Sequence, residues 1–474
     1  MSAYLLYSKQ SSVAPMLTYL GIPCGTTLPE EQAEIVIQWD YGALSAKDPS
    51  VHVLNSSEAL DNVSTKNVML DLLRLNGIPT LEERAPIKMS TIRRYFVPIF
   101  QQDELALYRS IGRKVWLTDQ LKAGLNDSFE EIEMDRTQRE IRRVLQYALR
   151  SIYVLGLDFG GVLIGIELNG KIRVIDVTSK PKLNDKLAVR FVKSIESYVS
   201  QYRRLPSQQV VLGADPEFVL RNTENGKMVL ASRFFPKKGR VGCDQVWLRS
   251  DQTRKQLPLA ELRPQPARDP KQLTINLYKT MLLAEKKINL QSIEWLAGGM
   301  PMKGYPIGGH IHFSQTWLNS SFLRVLDNYL TLPVMLLEND ISLRRRPKYG
   351  FLGDFRKQFH GGFEYRVLPS WLVSPRITKA VFSLAKLIAE SYPLLKQIPT
   401  IDPLVQKAFY QGDKKKILPV VKQIWTELEN LPDYERYANY IDPFRDMVFN
   451  TQEWNEFQDI RQAWQIPPYS TKKL

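Results

Sequence analysis

The segment VVLGADPEFVL, residues 210–220, holds an acidic pair, Asp215 and Glu217, inside an otherwise apolar run. A short apolar run of this kind is typical of a buried β-strand. Residues i and i+2 of a strand point to the same face, so the two carboxylates are predicted to project from one side. Burying a charge without a partner is costly. The face that bears the two carboxylates is therefore the one expected to bind a ligand.

Three further segments repeat the pattern of two polar residues spaced i and i+2. They are LAELRP (259–264) with Glu261 and Arg263, GGHIHFS (308–314) with His310 and His312, and GGFEYRVLP (361–369) with Glu364 and Arg366. Each pair alone is typical of a solvated strand edge with a local ion pair. Four pairs together, mixing carboxylate, imidazole and guanidinium, predict a sheet with one face lined for a polyanion and its divalent cations.

These residue types suit phosphate and metal chemistry. Carboxylates are the hard oxygen ligands that Mg²⁺ and Mn²⁺ prefer, and an imidazole can join them. The predicted metal ligands are Asp215, Glu217, Asp244 (in VGCDQVWL), Glu261, His310 and Glu364. Guanidinium groups match phosphate oxygens and stabilise the charge that spreads over a transferring phosphoryl group. The predicted sources of positive charge are Arg263, Arg344 to Arg346, Arg356 and Arg366, with His312 predicted to contact a nucleotide phosphate.

A zinc pair is an alternative interpretation of HIH. The sequence has no cysteine or third histidine at a standard zinc spacing beside it, which argues against structural zinc.

Composition and charge narrow the possible partners. The chain has 474 residues, with 64 Lys and Arg against 50 Asp and Glu, for a formal charge of +14. Such a balance favours anionic partners, but the basic clusters are short and form no nucleic-acid module. Its two cysteines form no disulfide framework. No signal peptide and no membrane span are predicted, so a cytoplasmic location is expected.

The chain is predicted to fold as four segments. Residues 1–185 alternate strand-like and helix-like runs, which is typical of an α/β domain. Within them, residues 66–76 are predicted as a helix ended by Gly77, and residues 159–179 as a hairpin that turns at Asn169-Gly170. The other segments are a connecting helix and linker (186–208), paired strands with helices between them (209–395) and a helical C-terminal extension (396–474).

Four segments of the second half resemble the signature strands of the glutamine synthetase and glutamate–cysteine ligase superfamily. They are GADPEFVL, AELRPQPARDP, GGHIHFS and FEYRVLPSWL. The closer similarity is to the phage- and bacteria-associated carboxylate–amine ligases, or amidoligases. The resemblance covers residues 209–395. It implies an α+β fold in which an antiparallel, glutamine-synthetase-like sheet binds ATP and divalent cations, Mg²⁺ or Mn²⁺, on its concave face.

The resemblance also implies roles for the residues. Glu217 and Glu261 would hold the metal beside the substrate carboxylate. Asp215, which stands where many relatives have Glu, would hold the metal that bridges the ATP phosphates, together with His310 and Glu364. The implied arginine roles are phosphate stabilisation for Arg366 and one of Arg344 to Arg356, and binding of the carboxylate substrate for Arg263. Arg263, Arg346, Arg356 and Arg366 are thus the predicted catalytic residues, and His312, Arg344 and Arg366 the predicted nucleotide contacts.

The implied activity is ATP-dependent amide or isopeptide bond formation through an acyl phosphate. The expected substrates are an amine and a carboxylate-bearing peptide, protein or cell-wall-type precursor, and a homo-oligomer is possible. Because an acyl phosphate must be kept from water, a mobile flap is expected, with residues 344–362 as its predicted location. Two alternatives stay open: a guanidino-type phosphotransferase of the same fold, and a degenerate, non-catalytic ligase with a structural or assembly role.

The N-terminal part resembles ATP-grasp ligases in two segments, residues 54–80 and 155–183. Relatives carry an acid at the position of Leu163, and a Glu and an Asn at those of Asp176 and Thr178. Only a few residues separate IPTLEERAP from RRYFVPIF, where relatives have the subdomain that supplies two lysines and a Gly-rich loop over ATP. The resemblance therefore implies a reduced ATP-grasp-like domain that binds ATP poorly.

Overall fold

A computed structural model of the chain forms two compact units. The first comprises Met1–Arg204 with Ile401–Pro403, and the second comprises Leu205–Thr400 with Leu404–Leu474. These units do not test the predicted division into four functional segments, which stays a prediction. The structure describes residues 3–9, 13–31, 33–48, 51–81, 91–111, 129–205, 209–245, 257–288, 292–359 and 361–469.

A small parallel sheet begins the first unit. Its strands are ordered β2-β1-β3-β4, and each pairs in parallel with its neighbour. All five residues of the β3 strand are buried, as its apolar sequence IVIQW requires. The bounds are β1 (Ala3–Tyr7), β2 (Cys24–Gly25), β3 (Ile35–Trp39) and β4 (His52–Leu54).

An antiparallel sheet of six strands follows in the first unit, in the order β10-β9-β5-β7-β8 with β6 beside β5. The predicted hairpin is confirmed: β9 and β10 pair antiparallel, and Gly170 at the turn has φ of 75°. Glycine adopts this left-handed conformation without steric cost. The bounds are β5 (Thr91–Phe100), β6 (Asp103–Glu104), β7 (Leu107–Ser110), β8 (Phe129–Ile132), β9 (Phe159–Glu167) and β10 (Ile172–Thr178).

Helices pack on the strands of the first unit. The predicted helix over residues 66–76 is confirmed as α3, and Gly77 follows it with φ of 69°. α4 buries one side, including Val144, Leu145 and Ala148, and contacts β5, β9 and β10. The bounds are α1 (Ala14–Leu17), α2 (Ser57–Ser64), α3 (Lys66–Leu75), α4 (Arg139–Val154) and α5 (Asp185–Arg203).

The second unit is built on a sheet of eight strands. Its main path is β13-β14-β11-β16-β18-β17, with β12 and β15 paired to β11, and all these pairs are antiparallel. The four segments that carry the polar pairs lie on or at the ends of β11, β14, β16 and β18, which are consecutive in the sheet. The bounds are β11 (Val211–Asn222), β12 (Met228–Val229), β13 (Val241–Asp244), β14 (Leu259–Leu262), β15 (Ile293–Leu296), β16 (Gly309–Ser314), β17 (Phe355–Lys357) and β18 (Phe363–Tyr365).

Helices after residue 205 begin where local chemistry predicts. Asp269 caps α6 by accepting from the main-chain N–H groups of Lys271 and Gln272, and Pro270 occupies the first turn. The bounds are α6 (Pro270–Glu285), α7 (Ser320–Leu326), a π-helical turn (Asp327–Thr331), α8 (Leu332–Met335), α9 (Pro375–Ser391), α10 (Pro403–Gln411), α11 (Lys414–Glu429), α12 (Tyr434–Phe449) and α13 (Ile460–Trp464). None of the described helices is both long enough and apolar enough to cross a bilayer.

The last part of the chain belongs to the core of the second unit. The main-chain oxygen of Ile293 on β15 accepts from Arg461, and Trp464 donates to the main-chain oxygen of Leu372 at 2.8 Å. Glu456 is fully buried and accepts from the main-chain N–H of Met300 at 3.0 Å. Glu456, in the segment between α12 and α13, therefore supports the loop that leads from β15 to β16, and α13 itself packs on β15 and Leu372.

Candidate active site

Strand register brings the polar pairs onto one face of the eight-stranded sheet. Asp215 lies opposite His310, Glu217 lies opposite Glu261, and His312 lies opposite Glu364. Directly opposed residues of antiparallel strands share a face. Five predicted metal ligands and His312 therefore converge, although they come from four strands separated by up to 149 residues of sequence, from Asp215 to Glu364.

Acidic and imidazole groups meet at the centre of this face. His310 Nδ1 lies 3.2 Å from both Asp215 Oδ1 and Glu364 Oε1, and His312 Nε2 lies 3.1 Å from Asp215 Oδ2. These contacts are short but lack hydrogen-bond geometry: within the described residues, Asp215 Oδ1, Glu364 Oε1, His310 Nδ1 and His312 Nε2 are buried and make no hydrogen bond. Buried polar atoms without partners are rare, and an ion is one explanation for them.

The residues fit a divalent cation. One potential ligand atom from each of Asp215, His312 and Glu364 lies within 4.8 Å of the others. Among the described residues, this is the group of acids and histidines whose ligand atoms lie close enough together to hold one metal ion. Its donor set, two carboxylates and an imidazole, combines oxygen ligands suited to Mg²⁺ or Mn²⁺ with one nitrogen.

Ionisation of the cluster reflects burial first and then the neighbouring charges. Burial disfavours the charged form of Asp215, but His310 and His312 hold the pKa of its carboxyl well below the usual range. Burial and then the neighbouring Asp215 raise the pKa of Glu261 to about 9. Burial also raises the pKa of Glu217, whereas the surrounding carboxylates overcome burial and raise the pKa of His310 to about 9. Burial thus disfavours the charged forms of Glu217 and Glu261, which a bound cation would favour.

Two glycines admit the functional side chains. Glu217 Oε2 accepts from the main-chain N–H of Gly308 at 2.7 Å. A Cβ at Gly308 would lie 2.5 Å from His310 Nε2, so a larger residue would push the imidazole away. At Gly242 on β13, a Cβ would lie 2.9 Å from Cζ of Arg263, so this glycine lets the guanidinium lie across the strand. The GGHIH pattern thus reflects a close approach to His310.

Three arginines of the predicted set attach to acids of the cluster. Arg263 pairs with Glu261 and donates to the main-chain oxygen of Gly239 at 3.1 Å. Arg356 Nε donates to Glu364 Oε2 at 2.7 Å, and Arg366 Nε lies 3.1 Å from Glu364 Oε1. Burial opposes the charged form of Arg366, but Asp354 and Glu364 raise its pKa.

A cavity of about 450 Å³ opens over this face. Its acids are Asp215, Asp244 and Glu261, and its cations are Lys237, Arg263 and Arg356. The lining thus combines acids, which suit a divalent cation, with arginines and a lysine, which suit a polyanion bound to it. The full lining is Gly213, Ala214, Asp215, Lys237, Cys243, Asp244, Glu261, Arg263, Pro264, Pro266, His312, Arg356 and Gln358.

Arg346 and Arg344 are not brought to the cavity. The guanidinium of Arg346 is buried, pairs with Glu338 and stacks 4.2 Å from the ring centre of Phe409. Arg344 is exposed, and neither residue lines the cavity. The sequence predicts that Arg346 touches the reacting groups. The structure instead places its guanidinium on the buried carboxylate of Glu338, away from the cavity. Their functional roles remain predictions.

Sequence reasoning missed two polar residues of the site. Lys237 lines the cavity from the loop before β13, and Gln358 lines it from the end of β17. Gln358 Nε2 donates to Glu364 Oε2 at 2.9 Å. Gln358 follows Arg356 at the same i, i+2 spacing as the four pairs, and that signal would have found it.

The predicted flap, residues 344–362, includes β17, which pairs antiparallel with β18. Its residue 360 lies outside the described residues. The flap's mobility stays a prediction.

In the first unit, the three positions at which the sequence departs from ATP-grasp ligases lie on β9 and β10. Leu163 is half-buried on β9, and Asp176 on β10 forms an ion pair with Lys66 at 2.6 Å. A half-exposed lysine thus already holds the Asp176 carboxylate. The short connection predicted between IPTLEERAP and RRYFVPIF spans residues 87–92, of which 87–90 lie outside the described residues.

Comparison with known proteins identifies a family for the second unit. The family model described as "Phage phiEco32-like COOH.NH2 ligase-type 2" matches residues 212–466. The matched residues include all four polar pairs. A search of curated proteins found no match.

Three solved structures share weaker likeness. The ATP-grasp ligase PsnB complexed with a minimal precursor is 14% identical, with 41% of this chain and 99% of that chain covered, at a TM-score of 0.28. The macrocyclase MdnC from Microcystis aeruginosa MRC, bound with precursor peptide MdnA, is 7% identical (40% and 99% covered; TM-score 0.28). D-alanine–D-alanine ligase from Bacillus anthracis is 13% identical (43% and 97% covered; TM-score 0.31). At such TM-scores they say nothing about the activity of this chain.

Proposed function

The chain belongs to the phage phiEco32-like COOH.NH2 ligase-type 2 family, and we propose that the cavity of its second unit is where the ligase reaction takes place. The protein is an ATP-dependent ligase that forms amide bonds. Family membership favours this activity over the phosphotransferase and scaffold alternatives. The observation that supports this site most strongly is the strand register. It puts Asp215, Glu261 and His312, which line the cavity, on the same face as Glu217, His310 and Glu364, which do not line it.

We propose an acyl-phosphate route. A carboxylate is a poor acyl donor because oxide is a poor leaving group, and transfer of the γ-phosphoryl of ATP to one carboxylate oxygen replaces it with phosphate. The amine then attacks the carbonyl carbon, the C–O bond to phosphate breaks, and the amine loses a proton. Asp215 and Glu364 would hold Mg²⁺ or Mn²⁺ at the ATP phosphates, with His310 as the family resemblance implies or His312 as the ligand spacing favours. Glu217 and Glu261 would hold one near the acid. When bound, such an ion neutralises repulsion between carboxylate and triphosphate.

The chain's own residues supply orientation and positive charge. Arg263 and Arg356 line the cavity, and Arg366 lies beside it on Glu364. Arg263 and Lys237 together are suited to bind the carboxylate substrate, while Arg356 and Arg366 are suited to the phosphoryl oxygens. His312 and Asp244 border the same space, as the nucleotide contact and the further metal ligand of this proposal.

Two broader assignments complete the proposal. The second unit is a glutamine-synthetase-like ligase fold, which its antiparallel sheet and one-sided cluster of acids support. The first unit is a reduced ATP-grasp-like domain that docks substrate or partner. The ion pair between Lys66 and Asp176 supports its reduced character, because the Asp176 carboxylate already has a cationic partner. The acid substrate is a carboxylate-bearing peptide, protein or cell-wall-type precursor, and the cationic groups of Lys237, Arg263 and Arg356 in the cavity lining support this class.

Isotope transfer tests the route. The protein is incubated with ATP, Mg²⁺, panels of ¹⁸O-carboxylate peptides and amines, and products are analysed by mass spectrometry. The expected products are an amide, ADP and phosphate that contains one ¹⁸O from the acid. Glu217→Gln should abolish turnover, whereas Glu224→Gln, an exposed change in the turn after β11, should not. AMP with pyrophosphate, or unlabelled phosphate accompanying amide, would contradict the acyl phosphate.

A further inference from the structure

Glu364 turns its two carboxylate oxygens to different neighbours. Oε1 faces the centre of the cluster, 3.2 Å from His310 Nδ1, with Arg366 Nε 3.1 Å away. Oε2 faces away and accepts from Arg356 Nε at 2.7 Å and Gln358 Nε2 at 2.9 Å. The Glu364 side chain is 0% exposed, so these donors set its orientation rather than solvent.

The donors to Oε2 come from one hairpin. β17 and β18 pair with Arg356 opposite Glu364. Gln358 closes this hairpin with its main chain, since its N–H donates to the oxygen of Gly362 at 2.8 Å and its oxygen accepts from Gly361 at 3.2 Å. The same residue therefore shapes the hairpin with its backbone and contacts Glu364 with its side chain.

Gln358 and Arg356 differ in what their removal would do to cation binding. Arg356 carries a positive charge that both orients Glu364 and repels a cation, so its loss has opposing effects. Gln358 is neutral, and its loss acts on a cation through the orientation of Glu364. Partners that orient a metal ligand in this way typically change metal affinity by about 10–100-fold.

We propose that Gln358 is a positioning residue of the metal centre, which fixes the outer oxygen of Glu364 so that the inner oxygen faces the ion. Because the contact runs through the residue that closes the hairpin, metal occupancy and the order of the β17–β18 hairpin are coupled. This inference rests on the proposed function, which makes Glu364 a metal ligand. It gives the predicted flap a physical link to the metal site.

Calorimetry with Mn²⁺ alone tests the positioning role. Gln358→Ala should weaken Mn²⁺ binding about tenfold relative to the wild-type chain. Lys357→Ala is the matched control, because Lys357 lies between Arg356 and Gln358 and points to the opposite face of the strand. Its Mn²⁺ affinity should equal that of the wild type. Melting temperatures without metal verify that both variants fold.

Hydrogen exchange tests the coupling. Addition of Mg²⁺ should slow exchange of the hairpin amides in the wild type and in Lys357→Ala, and slow it less in Gln358→Ala. Equal Mn²⁺ affinity of Gln358→Ala and wild type, while Glu364→Gln is weakened, would overturn the positioning role and leave the proposed function intact. Unchanged hairpin exchange on Mg²⁺ binding would overturn the coupling. Absence of Mn²⁺ binding to the wild type would overturn both this inference and the proposed metal centre.

Discussion

Replacement of Arg346 by Met should destabilise the second unit rather than act on catalysis directly. The Arg346 side chain is 1% exposed and its partner Glu338 is 2% exposed, so the change leaves a buried carboxylate without its main cation. Breaking a buried pair in this way costs about 3–5 kcal/mol. Burial already raises the pKa of Glu338, so proton uptake should limit the loss to the lower figure. A loss of about 3 kcal/mol corresponds to roughly 6–12 °C in melting temperature.

The assay is urea unfolding and thermal melting of the variant beside two companions. Arg344→Met is the control, since Arg344 is exposed and surface changes usually alter stability by less than about 0.5 kcal/mol. The double variant Arg346→Met with Glu338→Leu should regain much of the loss, because apolar pairs often replace buried ion pairs without cost. If Arg346→Met melted like Arg344→Met while ligase activity vanished, Arg346 would act in catalysis, as the sequence predicted, and the structural account would be wrong.

Three other variants probe the site and its support. Glu364→Gln should weaken Mn²⁺ binding by at least about tenfold in calorimetry, because a carboxylate ligand is lost; wild-type affinity would refute its assignment. Gly242→Ala should displace the Arg263 guanidinium and so raise the KM for the acid substrate. In the double variant with Arg263→Ala, the two effects on KM should not add, because both act through the same guanidinium. Additive effects would contradict the contact. Glu456→Ala should cost about 1–3 kcal/mol in urea unfolding, because the N–H of Met300 and the indole of Trp454 lose their acceptor. A cost below about 0.5 kcal/mol would show that this contact does not support the loop before β16.

Short-range chemistry made several elements predictable. Asn169-Gly170 indicated a hairpin because the turn needs positive φ, and Gly170 has it. The start of α6 has an equally local cause, because Asp269 accepts from the first free N–H groups of the helix. The spacing of Asp215 and Glu217 indicated a shared face because side chains alternate along a strand. Each of these features depends only on residues that lie close together in the sequence.

The sequence alone determined which acids, imidazoles and arginines are present and, through the strand period of two, that Asp215 shares a face with Glu217 and His310 with His312. Tertiary structure decided which strands are neighbours and in what register, and so set Asp215 opposite His310 and Glu217 opposite Glu261. It also decided that Arg346 meets a buried Glu338 while Arg356 meets Glu364. The two arginines lie in one predicted flap, and local sequence does not separate them, because a long side chain binds whichever acid the packed chain brings within its reach.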